Sequence, residues 1–239
     1  MAEEGDITKE IPKWLRQAAA RKFDHANGDS WNISDLYKCE RELILKRIYR
    51  KPVKNPLLLL HRNYIHDMTI ELFKRNGIFV EEGVKNSIES HNIRGEMDLI
   101  IKIGRTFYPV EIKSSKAAKH GIPSFHFQQL NSYMAIGNYQ TGFIVQFDTI
   151  VEDYLDGDCG CQKWELNPEM FSKTLLKVDY LNDCWKHRRI PKKNPAYPKE
   201  CNYCDYFEEC EGIEHDTSGK LRIDKEMPKY VEFTIEPKG

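Results

Sequence analysis

Between Arg94 and Ser115 the chain alternates side-chain character twice. Leu99, Ile101 and Ile103 alternate with Asp98, Ile100 and Lys102, and beyond Gly104-Arg105 the residues Tyr108, Val110 and Ile112 alternate with Phe107, Pro109, Glu111 and Lys113. This period predicts two antiparallel strands joined by a two-residue turn, with Ile103 facing Thr106. The same register carried onward sets Asp98 opposite Glu111 and Glu96 opposite Lys113, with facing Cβ atoms about 5 Å apart. Two carboxylates on one face repel unless a cation lies between them. Asp98, Glu111 and the Lys113 ammonium are therefore candidate groups for a magnesium or manganese site.

The remaining pattern alternates helices and strands around this hairpin. Ser34 is placed to cap a helix from Asp35 to about Tyr49, with Leu36, Cys39, Leu43 and Ile44 inward. Its other face and exit carry Arg41, Lys46, Arg47, Arg50, Lys51 and Lys54, a candidate phosphate-contacting patch. A second helix runs from Leu57 to Arg75 and stops at Gly77. On it His66 shares a stripe with Leu59, Ile70 and Phe73 and points inward, as a hydrogen-bonded core histidine or a ligand; His61 lies on another face. A strand over Ile78–Val84 and a turn over Asn86–His91 precede the hairpin. Lys116, Lys119 and His120 then lead to a helix from Ser124 to about Ile136, which holds Gln129 and Tyr133 four apart on the face of Phe125. A buried strand over Thr141–Asp148 and an acidic loop over Val151–Gly160 follow. The last long helix, from Pro168 to about His187, turns Leu175, Val178, Leu181 and Trp185 to the core, with Cys184 as packing. The basic, proline-broken segment after it is a linker and a second candidate DNA-contact strip.

Composition narrows the class. The chain has 239 residues, 40% hydrophobic and 31% charged, with a net charge of −1. That suits one domain with appendages, and a polyanionic partner would be held by local basic patches rather than by a global field. No apolar run approaches a membrane span and the acidic start is unlike a signal peptide, so a soluble, cytoplasmic protein is expected. In the first thirty residues Trp14 could anchor a short amphipathic helix.

Seven cysteines cannot all pair within one chain. Cys201-x-x-Cys204 followed by Cys210 groups three thiols that would grip a metal, and either His215 or the distant Cys39 could complete the set. The first choice describes a zinc knuckle; the second describes an iron–sulfur group that staples the first helix to the C-terminal segment. Cys159-Gly-Cys161 has no further local ligands and is read as two spare thiols.

Asp98 followed by Glu111-Ile112-Lys113, within the strings GEMDLI and PVEIKSS, resembles the signature of PD-(D/E)XK nucleases of the RecB type. The QLNSY run containing Gln129 and Tyr133 is similar to the last motif of that branch. With Cys39 and the C-x2-C-x5-C cluster added, the span from Ser34 to Cys210 resembles the CRISPR-associated exonuclease family, the fourth Cas protein. The resemblance implies an α/β, restriction-endonuclease-like mixed central sheet flanked by helices, with an iron–sulfur lobe joining the N- and C-terminal parts. It implies an extension over residues 1–31, a nuclease domain over 32–215 and a tail over 216–239.

Its implied chemistry is metal-dependent exonuclease cleavage of single-stranded DNA ends, trimming spacer precursors alongside Cas integrase proteins. His66, Asp98, Glu111 and the Ile112 carbonyl would hold manganese or magnesium, the histidine nitrogen favouring manganese. Lys113 would act with Asp98 and Glu111 in catalysis, Gln129 and Tyr133 would position lysine and strand, and Cys39, Cys201, Cys204 and Cys210 would carry a 4Fe-4S cluster. The family often has an acid where this chain has Ile70, with Glu71 next. The competing readings are a RecB-like repair or viral end-processing nuclease, and a metal-stapled nucleic-acid-binding adaptor with a vestigial site.

Overall fold

The computed structural model describes residues 30–51, 56–115, 124–148, 159–197, 199–215, 220–223 and 231–236. The first-thirty-residue helix around Trp14, the basic residues Lys54, Lys116, Lys119 and His120, most of the 151–160 loop and the His215 side chain lie outside the described residues. In chain order the elements are β1 (Trp31–Asn32), α1 (Glu40–Tyr49), α2 (Pro56–Arg75), β2 (Phe79–Ile88), β3 (Ile93–Ile103), β4 (Thr106–Ser115), α3 (Ser124–Gly137), β5 (Thr141–Asp148), β6 (Cys159–Glu165), α4 (Pro168–Lys186), β7 (Arg189–Ile190), α5 (Phe207–His215), β8 (Lys220–Ile223) and β9 (Val231–Ile235).

The hairpin forms as its alternation predicts. Gly104 takes φ +63°, which the tight turn needs and a residue with a Cβ resists, and Ile103 faces Thr106. The ladder then runs only as far as Leu99–Val110. Beyond that pair β4 leaves β3 and runs parallel to β5 from Val110–Phe143 to Ser115–Asp148. Since β2 occupies one edge of β3 along its length, the short parallel β1 pairs with Ile93 and Arg94 on the edge that β4 has vacated. A six-stranded mixed sheet with a fork between β3 and β4 results. The expected facing pairs Asp98–Glu111 and Glu96–Lys113 are therefore not ladder pairs.

Helices cover both faces. Ile70 and Phe73 of α2 pack on Leu99, Ile101, Val110, Ile112 and Val145. Phe127, Leu130 and Met134 of α3 pack on Ile144 of the opposite face. A larger core joins α1, α4 and α5 to Trp31, Met97, Ile100 and Tyr133, with Cys184 buried in it as expected. None of the described helices is long and apolar enough to cross a membrane.

Several expectations are corrected. The strand expected over Ile78–Val84 continues to Ile88, because Asn86 pairs with Gly95 across the sheet and is buried. Cys161 lies on β6, paired with Val145, rather than in a loop. The expected Asp35 helix is a 3-10 turn over Ile33–Asp35 in which the Asn32 side chain accepts the Ser34 N–H; the α-helix starts only after Cys39. The basic patch on α1 is largely spent internally. Arg41 is buried, Arg47 lies 3.2 Å over the Trp31 ring, Lys46 pairs with Asp35 and Lys51 with Glu209. The basic segment after α4 likewise enters a second, three-stranded sheet with the C-terminal strands: Ile190 is buried, and Arg189 pairs with Asp183 and Glu236.

Asp35 shows how the α1 region responds to acid. Burial would raise its carboxyl, but Lys38 and Lys46 outweigh burial and hold it below the ordinary value. The resulting stabilisation is complete above about pH 4 and is lost as pH falls through the lower folded-state value. Asp35→Asn should cost about 1 kcal/mol at pH 7 for this partly buried pair, and the difference from wild type should shrink in acid, as measured by urea unfolding across that range.

Candidate functional site

The fork between β3 and β4 gathers side chains from both sides of the sheet. In place of a ladder bond, the Ile112 N–H donates to Asp98 Oδ2 at 2.6 Å, so a side chain closes the gap where the backbones part. Asp98 Oδ1 faces His66 Nε2 of α2 at 3.1 Å. Burial lowers the imidazole's pKa, but Asp98 outweighs it, and the net direction is upward.

Glu111 and Lys113, two residues apart on β4, share the other side of the fork. Glu111 is 1% exposed, and its Oε1 accepts from Lys113 Nζ at 2.6 Å. Its Oε2 is buried with no hydrogen-bond partner among the described residues. A buried carboxylate oxygen without a partner is costly and points to a group that the side chains alone do not supply. Burial and the Asp98 charge push Glu111 up to about 7 against the pull of Lys113.

Helix α3 completes the arrangement. Gln129 is buried and accepts from Lys113 Nζ at 2.9 Å, so the ammonium is held from strand and helix together. Tyr133, 1% exposed, donates its hydroxyl to the Glu96 carbonyl at 2.9 Å. Its ring lies over Gly95, where a Cβ would come within 3.0 Å of it. The glycine of GEMD thus permits the close approach of α3 to β3. The Glu96 side chain, expected opposite Lys113, instead lines a groove with Gly83 and Met97.

The structure thus brings His66, Asp98, Glu111, Ile112, Lys113 and Gln129 together, with Tyr133 as a brace behind them. A preassembled ion cage is absent. Among the described residues no three His, Cys, Asp or Glu side chains are spaced to hold a metal ion, because His66 lies on Asp98 and Lys113 on Glu111. The donors still fit a divalent cation in kind: an imidazole and two carboxylates, one of which has a buried oxygen without a partner among the described residues.

Two residues escaped the sequence reading. Gln146 is the register partner of Lys113 on β5 and is buried beside it. His126, one turn before Gln129, is driven to about 3 by burial and Lys113, and its buried Nδ1 has no hydrogen-bond partner among the described residues. Only their strand and helix positions next to the motif residues could have signalled them.

The four expected cysteines lie around one cavity, although among the described residues no three of them are spaced to hold a metal ion. Cys39, Cys201, Cys204 and Cys210 line one cavity of about 20 Å³, the space of roughly one water. Asn194 donates its N–H to Cys39 Sγ and Tyr206 its own to Cys204 Sγ, each at 3.4 Å, and the buried Arg41 reaches Cys210 Sγ at 3.7 Å. Burial raises Cys39 and pushes Cys204 up to about 12. Glu200 ties the two chain ends by accepting the N–H groups of Cys39 and Ala196.

Solved structures sharing this architecture are now informative. SSO0001 superposes with a TM-score of 0.62 at 16% identity, over 84% of this chain and 96% of that one. The alkaline exonuclease LHK-Exo from Laribacter hongkongensis gives 0.50 at 13% identity, over 73% and 92%. The chain shares its fold with both structures. No family model matches the sequence, and no curated protein does. The mixed central sheet flanked by helices agrees with the restriction-endonuclease-like architecture expected above.

Asp98 has a structural task separable from any chemistry. Asp98→Ala leaves the buried Ile112 N–H without an acceptor and should destabilise the chain by about 1–3 kcal/mol, whereas Asp98→Asn keeps an acceptor oxygen and should unfold close to wild type in urea.

Proposed function

We propose that the chain is a divalent-metal-dependent DNA exonuclease that acts on single-stranded ends. The observation that carries this reading is the buried Glu111, with one oxygen on Lys113 and the other unpartnered, two strand positions from the lysine and beside Asp98. Asp98, Glu111, His66 and the Ile112 carbonyl would hold the ion. When bound, magnesium or manganese supplies Lewis acidity to the phosphate and lowers the pKa of water at the site.

The chain's own groups do the rest. Lys113, fixed between Glu111 and Gln129, presents its remaining N–H toward the attacking water or the charge developing on phosphate oxygen. Gln129 holds that ammonium in place, and Tyr133 keeps α3 against β3 so that Gln129 stays in reach. Burial of Glu111 keeps bulk water from its carboxylate.

The cysteines fit an iron–sulfur group in number and kind. Four thiols from both ends of the chain line one cavity, with backbone N–H groups on two sulfurs and a buried guanidinium beside a third to offset thiolate charge. We read them as the ligands of a 4Fe-4S cluster. The resemblance noted above extends the reading to trimming of spacer precursors beside Cas integrase proteins. A RecB-like repair or viral end-processing nuclease with the same site is the second reading; LHK-Exo, whose fold this chain shares, is an alkaline exonuclease.

With manganese or magnesium and end-labelled single-stranded DNA, wild type should release nucleotides, and chelation should abolish release. Lys113→Ala and Asp98→Asn should each lower the rate at least 10²-fold; Asp98→Asn should keep its urea midpoint near wild type, whereas Lys113→Ala strands the buried Glu111 carboxyl and should lower its own. Wild-type activity in Asp98→Asn would overturn the assignment. Purified protein should contain iron and acid-labile sulfide, reduced in Cys201→Ala; zinc without iron would favour the knuckle with His215.

A further inference from the structure

Two grooves flank the His66–Asp98 pair, and their walls differ in sign. One, of about 350 Å³, is walled by Asp67, Glu71, Glu82, Glu96 and Asp98. Its lysine, Lys74, is neutralised by Glu71 at 3.1 Å and Glu82 at 3.0 Å. A polyanion is repelled there.

The other, of about 450 Å³, opens on the far side of His66 and Lys113. Tyr37, Arg62, Asn63, Ser114, Phe125 and His126 line it, and no carboxylate is among the described residues that do so. Its volume falls in the range of sites that enclose a small organic group. Arg62 is exposed and forms no ion pair among the described residues. It stands four residues before His66 on α2, on the same row of the helix and about 6 Å away along its axis. That displacement is of the order of the distance between successive phosphates in a stretched strand.

The opposite wall is aromatic. Tyr37 stacks on Phe125 with ring centroids 4.8 Å apart, and Phe125 on Tyr197 at 5.6 Å. Cation on one wall and aromatic rings on the other form the combination that binds unpaired nucleic acid: the charge follows the backbone and the rings take bases that no complementary strand covers.

We propose that this second groove is the binding site for the unpaired strand, with Arg62 on the phosphate next to the one at Lys113 and the neighbouring base against Tyr37, which is backed by the Phe125–Tyr197 stack. The assignment deepens the function proposed above and rests on its nucleic-acid half. It also sets direction: the strand leaves the site along the N-terminal half of α2, away from the acidic groove.

Fluorescence anisotropy of a short labelled oligothymidylate on the full chain, with calcium replacing magnesium, tests it. Arg62→Glu and Tyr37→Leu should each weaken binding about tenfold or more, whereas Lys74→Ala, on the acidic side, should bind as wild type does. A base-paired duplex of equal length should compete poorly. Because Tyr37 is partly buried and its replacement could unfold the chain, wild-type protein is also irradiated with a 5-iodouracil-substituted oligonucleotide; the cross-link should map to Tyr37 or Phe125. Binding within twofold of wild type in Arg62→Glu, or cross-links confined to other surfaces, would overturn the assignment. Protein that binds as described yet cleaves nothing with magnesium or manganese would defeat the nuclease reading and leave the groove assignment standing.

Discussion

A single hydrogen bond, from the Ile112 N–H to the Asp98 carboxylate, marks where the central hairpin stops being a hairpin. Up to Leu99 and Val110 the two strands satisfy each other's backbones; beyond that pair β4 turns to β5 and its inner edge would be left bare. Buried peptide groups must find partners, and the carboxylate supplies one for the first that loses its own. The charge that closes the fork is also the charge that meets His66, so one side chain both ends the ladder and founds the site.

The fork explains how groups from separate layers come together. A continuous sheet would keep the helix on one face from the helix on the other. With the strands parted, His66 of α2 reaches Asp98 at the fork, and Gln129 of α3 reaches Lys113 beside it. Tyr133 over Gly95 then limits how far α3 can drift. The acidic groove and the basic, aromatic groove meet at this point, which makes the cluster a junction rather than a closed pocket.

The cysteine region is joined to the site through packing as well as through sulfur. Tyr37 lies two residues before Cys39, and Tyr197 four residues before Cys201; both stack with Phe125 of α3, one turn ahead of Gln129. Glu200, buried and shared between the Cys39 and Ala196 amides, fixes the two ends against each other. Whatever orders the four thiols therefore also orders the aromatic wall beside Lys113.

The sequence by itself determined what depends on local period and short range: the hairpin and its turn, the α2 helix ending at Gly77, the inward stripe of α4, and the spacing that groups Asp98, Glu111 and Lys113. The C-x-x-C spacing marked Cys201, Cys204 and Cys210 along one chain, whereas His66, Gln129 and Cys39 were singled out through the family resemblance, since their inward faces alone also suit ordinary core residues. The tertiary structure alone decided the rest. Extending the register past Leu99 misplaced Glu96 and paired Asp98 with Glu111, since no local pattern announces that a distant parallel strand, β5, will take β4 away. The basic residues of α1 resembled a DNA face until Asp35, Trp31 and Glu209, far off in sequence or across the fold, claimed them. His126 and Gln146 carry no pattern of their own; proximity to Lys113 is a property of the folded chain, in which burial and neighbouring charge are set by residues that sequence order does not place together.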